Sequence, residues 1–270
     1  MARSERNSAL WPALPAVAVV LAAFVWPLAR LAVSAFLPPR DATGDDARAG
    51  IVRLFADSYD RRALAHSVAL SLAVALASVA ICLPAAIALA RGRFAGRAIL
   101  RGVFALPLSL SGVVVGFLAV AMLGNAGALP SLLHLPSLAG SAYGLGGLAV
   151  AYLYFEIPRA TLTMETALAA VDDGLLEAAR TLGASPWQVA RWVFWPLCAP
   201  AMRAAFAVTF AASLGSFGVA LIVAARFPIL PVELYRAFTG TLDDSLAAAM
   251  ALVIAVVAAL VLALGRRSGR

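Results

Sequence analysis

Long apolar segments and short polar segments alternate along the chain. Six apolar segments are long enough for helices that cross a bilayer, because a helix rises by about 1.5 Å per residue and the hydrocarbon core is about 30 Å thick. Their approximate limits are residues 10–37, 64–90, 102–123, 144–164, 201–225 and 245–264. This pattern predicts an all-α, polytopic membrane protein with six transmembrane helices.

The first apolar segment follows two arginines, as the core of a secretory signal peptide does. Such cores are only about 7–15 residues long, so we interpret this longer segment as an uncleaved span. Residues 38–63 contain five arginines and five aspartates, which predicts a solvated outer loop that is partly helical around residues 51–55. A short interfacial helix is also expected at residues 232–238, before the last span.

Composition excludes a soluble protein. Hydrophobic residues make up 63% of the 270 residues and charged residues 13%, whereas a soluble domain is roughly half apolar and a quarter charged. Too few polar side chains are present to cover a surface in water. The predicted organisation is an N-terminal helix with its outer loop (1–63), a five-helix core (64–265) and a short basic tail (266–270).

All 21 basic residues are arginines. With the N-terminus inside, thirteen of them lie on the inner side of the spans, seven lie on the outer side, and Arg30 lies within the first apolar segment. Because basic residues mark the cytoplasmic face, both termini and the loop at residues 172–200 are predicted to be cytoplasmic. A pI of about 10.4 would indicate nucleic-acid binding in a soluble protein. Here the arginines at span ends are explained by membrane orientation, and no nucleic-acid partner is expected.

The absence of lysine excludes an ATP-binding P-loop, which needs a lysine to reach the phosphates. If ATP drives this protein, another polypeptide binds it. Catalytic motifs such as HExxH and GxSxG are also absent from the sequence, so the chain is not expected to be an enzyme. Cys82 and Cys198 lie in apolar surroundings and are interpreted as buried, inert thiols. No metal site and no cofactor are expected.

The loop at residues 172–200 has the signals of two capped helices. Asp172, followed by an acidic residue and a glycine, suits a helix N-terminus, and Gly183 suits a left-handed C-terminal cap. Ser185 is the expected N-cap of a second helix, with Pro186 at its first position and a capping box completed by a glutamine three residues after the serine. Pro196 is expected to end this second helix.

This loop resembles the EAA loop of permeases of type I ATP-binding-cassette importers. The resemblance is carried by Glu177-Ala178-Ala179, by Gly183 and by Pro196, between the predicted fourth and fifth spans. It implies the MetI-like permease fold and a complex of two permease subunits, two ATPases and an external solute-binding protein in the lipid bilayer. The residues it implies for mechanical coupling to the ATPase are Glu177, Ala178, Ala179, Gly183, Ser185, Pro186 and Pro196. An amphipathic connector helix on the membrane surface is the alternative.

Two further stretches resemble particular branches of this family. The sequence LPLSLSGVVVGF at residues 106–117 resembles the polyamine, iron, phosphonate and thiamine branch. The stretch from Gly215 to Gly218 resembles the glycine-bearing segment of oxyanion permeases, which often carry Glu where this chain has Ser216. That departure argues against a sulfate or molybdate solute. The branch resemblance implies a small polar solute such as a polyamine, a phosphonate, ferric ion or thiamine, and it does not choose among them.

The predicted fourth span contains Glu156 and Arg159, three residues apart. Charges within a span are costly and indicate function, but these two side chains can also pair along the helix. The predicted fifth span is rich in small residues, which allow close helix packing. Candidate residues for a solute path or gate are Glu156, Arg159, Ser213 and Ser216. An ion-coupled secondary transporter and a non-transport membrane scaffold stay open as alternative functions.

Overall fold

The structure is a computed structural model that describes residues 14–38, 48–224 and 227–267. These residues are mostly helical and include no β-strand. The helices in the described ranges are α1 (Leu14–Phe36), α2 (Gly50–Ala56), α3 (Ser58–Arg91), α4 (Arg97–Ala105), α5 (Gly112–Leu123), α6 (Ala128–Leu133), α7 (Leu145–Ala169), α8 (Asp173–Thr181), α9 (Pro186–Leu214), α10 (Gly218–Val223), α11 (Leu230–Thr239) and α12 (Asp244–Arg267). The predicted all-α class is confirmed.

Within the described ranges, four segments are long and apolar enough to cross a membrane: Ser58–Arg91, Gly112–Leu133, Pro186–Leu214 and Asp244–Gly265. The helix α7 is 25 residues long, about 37 Å at 1.5 Å per residue, but it carries three charged side chains and is not among the four. The apolar part of α1 in these ranges is shorter.

Two short helices were expected outside the spans, and both are present. The helix α2 includes the predicted residues 51–55, and α11 includes the predicted residues 232–238. The predicted fourth span also agrees with α7, which runs five residues further than residue 164.

The predicted third span, residues 102–123, is not one helix. The helix α4 is followed by a 3₁₀ turn, Leu106–Ser109, and two extended residues, Leu110 and Ser111, then separate this turn from α5. The cause lies in the local sequence, because Ser111 caps α5 by accepting a hydrogen bond from the backbone N–H of Val114 at 3.4 Å. A serine in extended conformation at an N-cap starts a new helix.

The prediction that Pro196 ends a helix is wrong. Residues Val189–Phe194 form a π-helical turn, and the backbone N–H of Trp195 donates to the carbonyl of Ala190, five residues back. A wider turn immediately before the proline accommodates its ring and its missing N–H donor. The predicted fifth span at 201–225 therefore begins earlier, as part of α9, and that helix ends at Leu214.

The chain divides into two compact units. The first combines the described residues up to Ser58 with Leu234–Val253. In this unit, the hydroxyl of Ser245 accepts a hydrogen bond from the backbone N–H of Gly50 at 2.9 Å and donates one to the carbonyl of Leu37 at 2.8 Å. Arg53 pairs with Asp243 at 2.5 Å. These contacts tie α1, α2 and the start of α12 together.

The second unit combines Tyr59–Glu233 with the described residues from Ile254. Its centre is formed by α3, α7 and α9, which share a buried apolar cluster that includes Cys82, Met164 and Cys198. A second cluster joins α3 and α7 to α10. Both cysteines are free and buried, so their predicted burial is confirmed.

Candidate coupling loop and intramembrane charges

The first helix of the loop begins and ends as its sequence predicts. The carboxylate of Asp172 accepts a hydrogen bond from the backbone N–H of Gly174 at 2.8 Å. Gly183 has a φ of +84°, and its N–H donates to the carbonyl of Arg180 at 3.0 Å. The N–H of Ala184 donates to the carbonyl of Ala179 at 3.1 Å. This pair of hydrogen bonds is a Schellman motif, which satisfies the last carbonyls of α8.

The second helix begins with the predicted capping box. The N–H of Gln188 donates to the hydroxyl of Ser185 at 3.3 Å, and the N–H of Ser185 donates to the side-chain oxygen of Gln188 at 2.7 Å. Pro186 stands in the first turn, where a missing N–H has no cost. Caps on both sides of the turn at 182–185 therefore fix the geometry of the loop.

The predicted coupling residues lie mostly at the surface of this loop. Glu177, Ala178, Gly183, Ser185, Pro186 and Pro196 are exposed, and Ala179 is half-buried. Two large apolar side chains stand beside the turn: Leu182 is 88% exposed and Trp187 is 73% exposed. Both side chains are therefore available for contact with a protein or a membrane.

The opposite side of the loop faces the end of α3. A cavity of about 270 Å³ separates α8 from the first turns of α9, and its lining includes Leu176, Val189 and Phe194. The guanidinium of Arg91, at the end of α3, lies 5.4 Å from the ring centroid of Phe194. This cation–π contact connects the loop to the membrane helices.

The two oppositely charged side chains of α7 lie close together. Arg159 Nε lies 3.3 Å from Glu156 Oε2. The Glu156 side chain is only 4% exposed, whereas the Arg159 side chain is 36% exposed. The carboxylate is therefore enclosed by protein, and the guanidinium reaches a more open surface.

The stretch around Ser216 contacts α7 through a residue that the sequence analysis did not select. The hydroxyl of Tyr152, one turn before Glu156, donates to the backbone carbonyl of Ser216 at 2.8 Å. Ser216 lies in the break between α9 and α10. The hydroxyl of Ser213 takes no part in these contacts and has no hydrogen-bond partner, although the residue is buried.

The start of α10 also contacts the start of α5. A Cβ on Gly218 would lie 2.9 Å from the backbone N of Val113, and a Cβ on Gly112 would lie 3.3 Å from the backbone N of Val219. Only glycine permits this approach without a shift of the backbone. The two helix breaks therefore meet within the second unit.

Glu165, near the end of α7, is a second residue that was not predicted from the sequence, and its carboxylate is buried. Glu165 Oε1 and Oε2 accept hydrogen bonds from Arg101 Nε at 3.1 and 3.2 Å, and Arg97 lies 3.7 Å away. The hydrogen bond to Glu165 and its charge raise the pKa of the Arg101 guanidinium. An acidic residue in a mostly apolar helix indicates a cationic partner. The pairing was missed because the arginines before the third span were interpreted only as orientation signals.

Metal binding has no geometric support in the described part of the chain. No group of three or more His, Cys, Asp or Glu residues in these ranges could hold a metal ion.

Comparison with known proteins identifies relatives along most of the chain. A profile of the family described as binding-protein-dependent transport system inner membrane component matches residues 80–270. The chain is 33% identical over 176 residues to the molybdenum transport system permease protein ModB of Haemophilus influenzae, covering 62% of this chain and 76% of ModB. It is 35% identical over 201 residues to a probable molybdenum ABC transporter permease protein of Haloferax volcanii, covering 74% and 73%.

A third relative and one solved structure extend over nearly the whole chain. The thiamine transport system permease protein ThiP of Brucella suis is 28% identical over 276 residues, covering 99% of this chain and 49% of ThiP. The crystal structure of a bacterial ABC transporter for import of the acidic polysaccharide alginate matches with a TM-score of 0.74 at 19% identity, covering 97% of this chain and 95% of the matched chain. This structural match supports the fold.

Proposed function

The chain belongs to the family of binding-protein-dependent transport system inner membrane components, and on this premise we propose that residues 172–200 dock on an ATPase and transmit its motion to the membrane helices. The protein is a permease subunit of an ATP-binding-cassette importer, and the ATPase activity lies on a separate subunit. Its partners are of two kinds, an ATPase and an external solute-binding protein.

The exposed, doubly capped loop is the observation that carries this proposal. Glu177 and Ala178 are exposed on a helix whose two ends are fixed by hydrogen bonds. The apolar side chains of Leu182 and Trp187 stand beside them. A rigid helix flanked by exposed apolar side chains can bind a partner and transmit its motion, because a flexible loop would deform instead.

We propose a complex with two ATPase copies and a second permease subunit, either a copy of this chain or a paralogue. The arginine distribution supports cytoplasmic termini and a cytoplasmic loop. Six spans remain our proposal for the topology, with the segments of α1 and α7 added to the four apolar segments. The division into residues 1–63, 64–265 and 266–270 likewise remains a prediction.

A solute path along α7 and α9 is the second part of the proposal. Glu156 and Arg159 form a charged pair within a span, and Ser216 lies in a helix break that is bonded to α7. Non-helical backbone at membrane depth is tolerated where it is buried in protein or lines a cavity. We assign Glu156, Arg159, Ser213 and Ser216 to the path or its gate.

The solute is proposed to be small and polar and to be delivered by the external binding protein. The relatives named for molybdenum make a small oxyanion the first solute to test, and the thiamine relative makes thiamine the second. Equilibrium binding of molybdate and of thiamine to the binding protein that co-purifies with the complex distinguishes these two candidates.

The docking proposal is tested by purifying the tagged chain from mild detergent and assaying for a bound ATPase. Glu177→Pro should abolish binding, because a proline within α8 removes an N–H donor and collides with the preceding turn. Glu177→Ala, which keeps the helix, separates loss of the side chain from loss of the helix. Normal ATPase binding by Glu177→Pro would contradict the role of the loop. A well-folded wild-type chain that co-purifies with no ATPase would likewise contradict the docking proposal.

A further inference from the structure

The buried carboxylate of Glu165 joins two helices of the second unit. Glu165 lies on α7, four residues before its end, and is 5% exposed. Arg101 of α4 donates to it through Nε and through a second guanidinium nitrogen, and Arg97 lies one turn earlier on the same helix. An arginine that reaches a carboxylate through two nitrogens fixes orientation as well as distance.

This carboxylate provides a polar contact between α4 and α7. A buried charge is costly unless it is paired, so the arrangement favours keeping both arginines at Glu165. The other side of α4 carries Ile99, Val103 and, just beyond its end, Leu106, which are all exposed within this chain. The ion pair is therefore a principal polar attachment of α4 to α7.

Glu165 also lies close to the coupling loop in the chain. The helix α7 ends at Ala169 and α8 begins at Asp173. Between them, the N–H of Val171 donates to the carbonyl of Leu168 at 3.2 Å, so the connection is a tight turn. Only the last turn of α7 and the residues 170–172 therefore separate the carboxylate from α8 in the chain.

We propose that Glu165 is a positioning residue that makes α4 follow α7 when the coupling loop moves. The inference rests on the proposed docking of residues 172–200 on the ATPase. The pair with Arg101 transmits motion from the loop to α4, and through the turn at Leu106–Ser109 to the start of α5. Loss of the charge uncouples α4 while the loop and α7 still respond.

The test uses the purified complex of the permease with its ATPase and follows two environment-sensitive fluorophores. One variant carries the label on α4 at Ile99→Cys and the other on α7 at Val150→Cys; both positions are exposed. The native Cys82 and Cys198 are buried, with exposures of 1% and 0%. ATP with vanadate traps the closed ATPase and serves as the probe, so the transported solute is not needed.

In the wild-type background we expect trapping to change the emission of both labels. In Glu165→Gln most of the change at Ile99→Cys should be lost, because α4 no longer follows α7, while the change at Val150→Cys stays. Arg101→Gln should give the same pattern without placing a new polar group in a buried position, because the Arg101 side chain is 51% exposed. Arg93→Gln, at an exposed arginine of the preceding loop, is the matched control and should leave both changes intact.

Three results would overturn the inference. Unaltered emission changes at both positions in Glu165→Gln and Arg101→Gln would show that α4 does not depend on the ion pair. Equal loss at both positions, with loss of bound ATPase, would show a purely structural role. A wild-type permease that binds no ATPase would contradict the proposed docking and, with it, this inference. The ATPase-binding assay identifies that case separately.

Discussion

At the scale of single residues, Gly183 provides a direct test of the loop geometry. Its φ of +84° is unfavourable for a side chain, and no atom lies within 4 Å of the position that a Cβ would occupy, so Gly183→Ala adds only backbone strain. That strain costs about 1 kcal/mol. We therefore expect the last amides of α8 to exchange with solvent about fivefold faster, as measured by hydrogen exchange.

Gly183→Asn is the matched control, because asparagine tolerates the left-handed conformation better than alanine. It should keep most of the protection of α8. Equal protection in the alanine and asparagine variants would contradict the assignment of the cap.

Gly50 tests the packing of the first unit. A Cβ on Gly50 would lie 2.0 Å from the carbonyl oxygen of Ser245, so the backbone must move in Gly50→Ala. We expect the free energy of unfolding to fall by about 2 kcal/mol, measured by thermal unfolding in detergent. Gly102→Ala is the control, since no atom lies within 4 Å of its Cβ position in α4. A drop of similar size in both variants would contradict this account.

Residue-scale predictions succeeded where the signal was local. Asp172, Gly183 and Ser185 each act on backbone groups within a few residues, so their roles could be inferred from spacing. The partners of Tyr152 and Glu165 lie 64 residues away in the chain. Such pairs depend on how the helices pack, which the spacing of residues does not specify.

At the scale of elements, the break between α9 and α10 depends on a hydrogen bond from α7. Tyr152→Phe removes the donor to the Ser216 carbonyl, which lies in the break. We expect a loss of about 1 kcal/mol in the free energy of unfolding, with faster hydrogen exchange around residues 215–218. Tyr154→Phe, two residues later at an exposed position of α7, is the control and should change neither quantity.

The same scale explains why some predicted helix limits were wrong. Hydropathy predicted the presence of apolar segments but not the helix limits within them, and it did not reveal the extended residues at Leu110 and Ser111. Leucine is apolar, and a single serine does not interrupt an apolar run. Pro196 was interpreted as a helix end because proline removes a hydrogen bond. A π-helical turn before it allows α9 to continue, and a change of hydrogen-bond register leaves no clear mark in the sequence.

At the scale of the whole molecule, family and class could be inferred from the sequence, because composition excluded a soluble protein and the loop residues indicated a permease. Span number, orientation and solute depend on the membrane and on partner chains. A binding protein selects the solute outside this chain in the proposed mechanism. The relatives that share sequence identity with this chain are named for different solutes. They therefore indicate which solutes to test first but do not identify the solute of this chain.

Orientation can be tested on the chain expressed alone in cells. A membrane-impermeant maleimide should label Thr241→Cys in intact cells, because residue 241 is on the proposed outer side and exposed. Thr181→Cys, also exposed and at the end of α8, should react only in inverted membrane vesicles. The native cysteines contribute little background because both are buried. Labelling of Thr181→Cys in intact cells would place the loop outside, where no cytoplasmic ATPase could reach it, and would contradict the coupling mechanism.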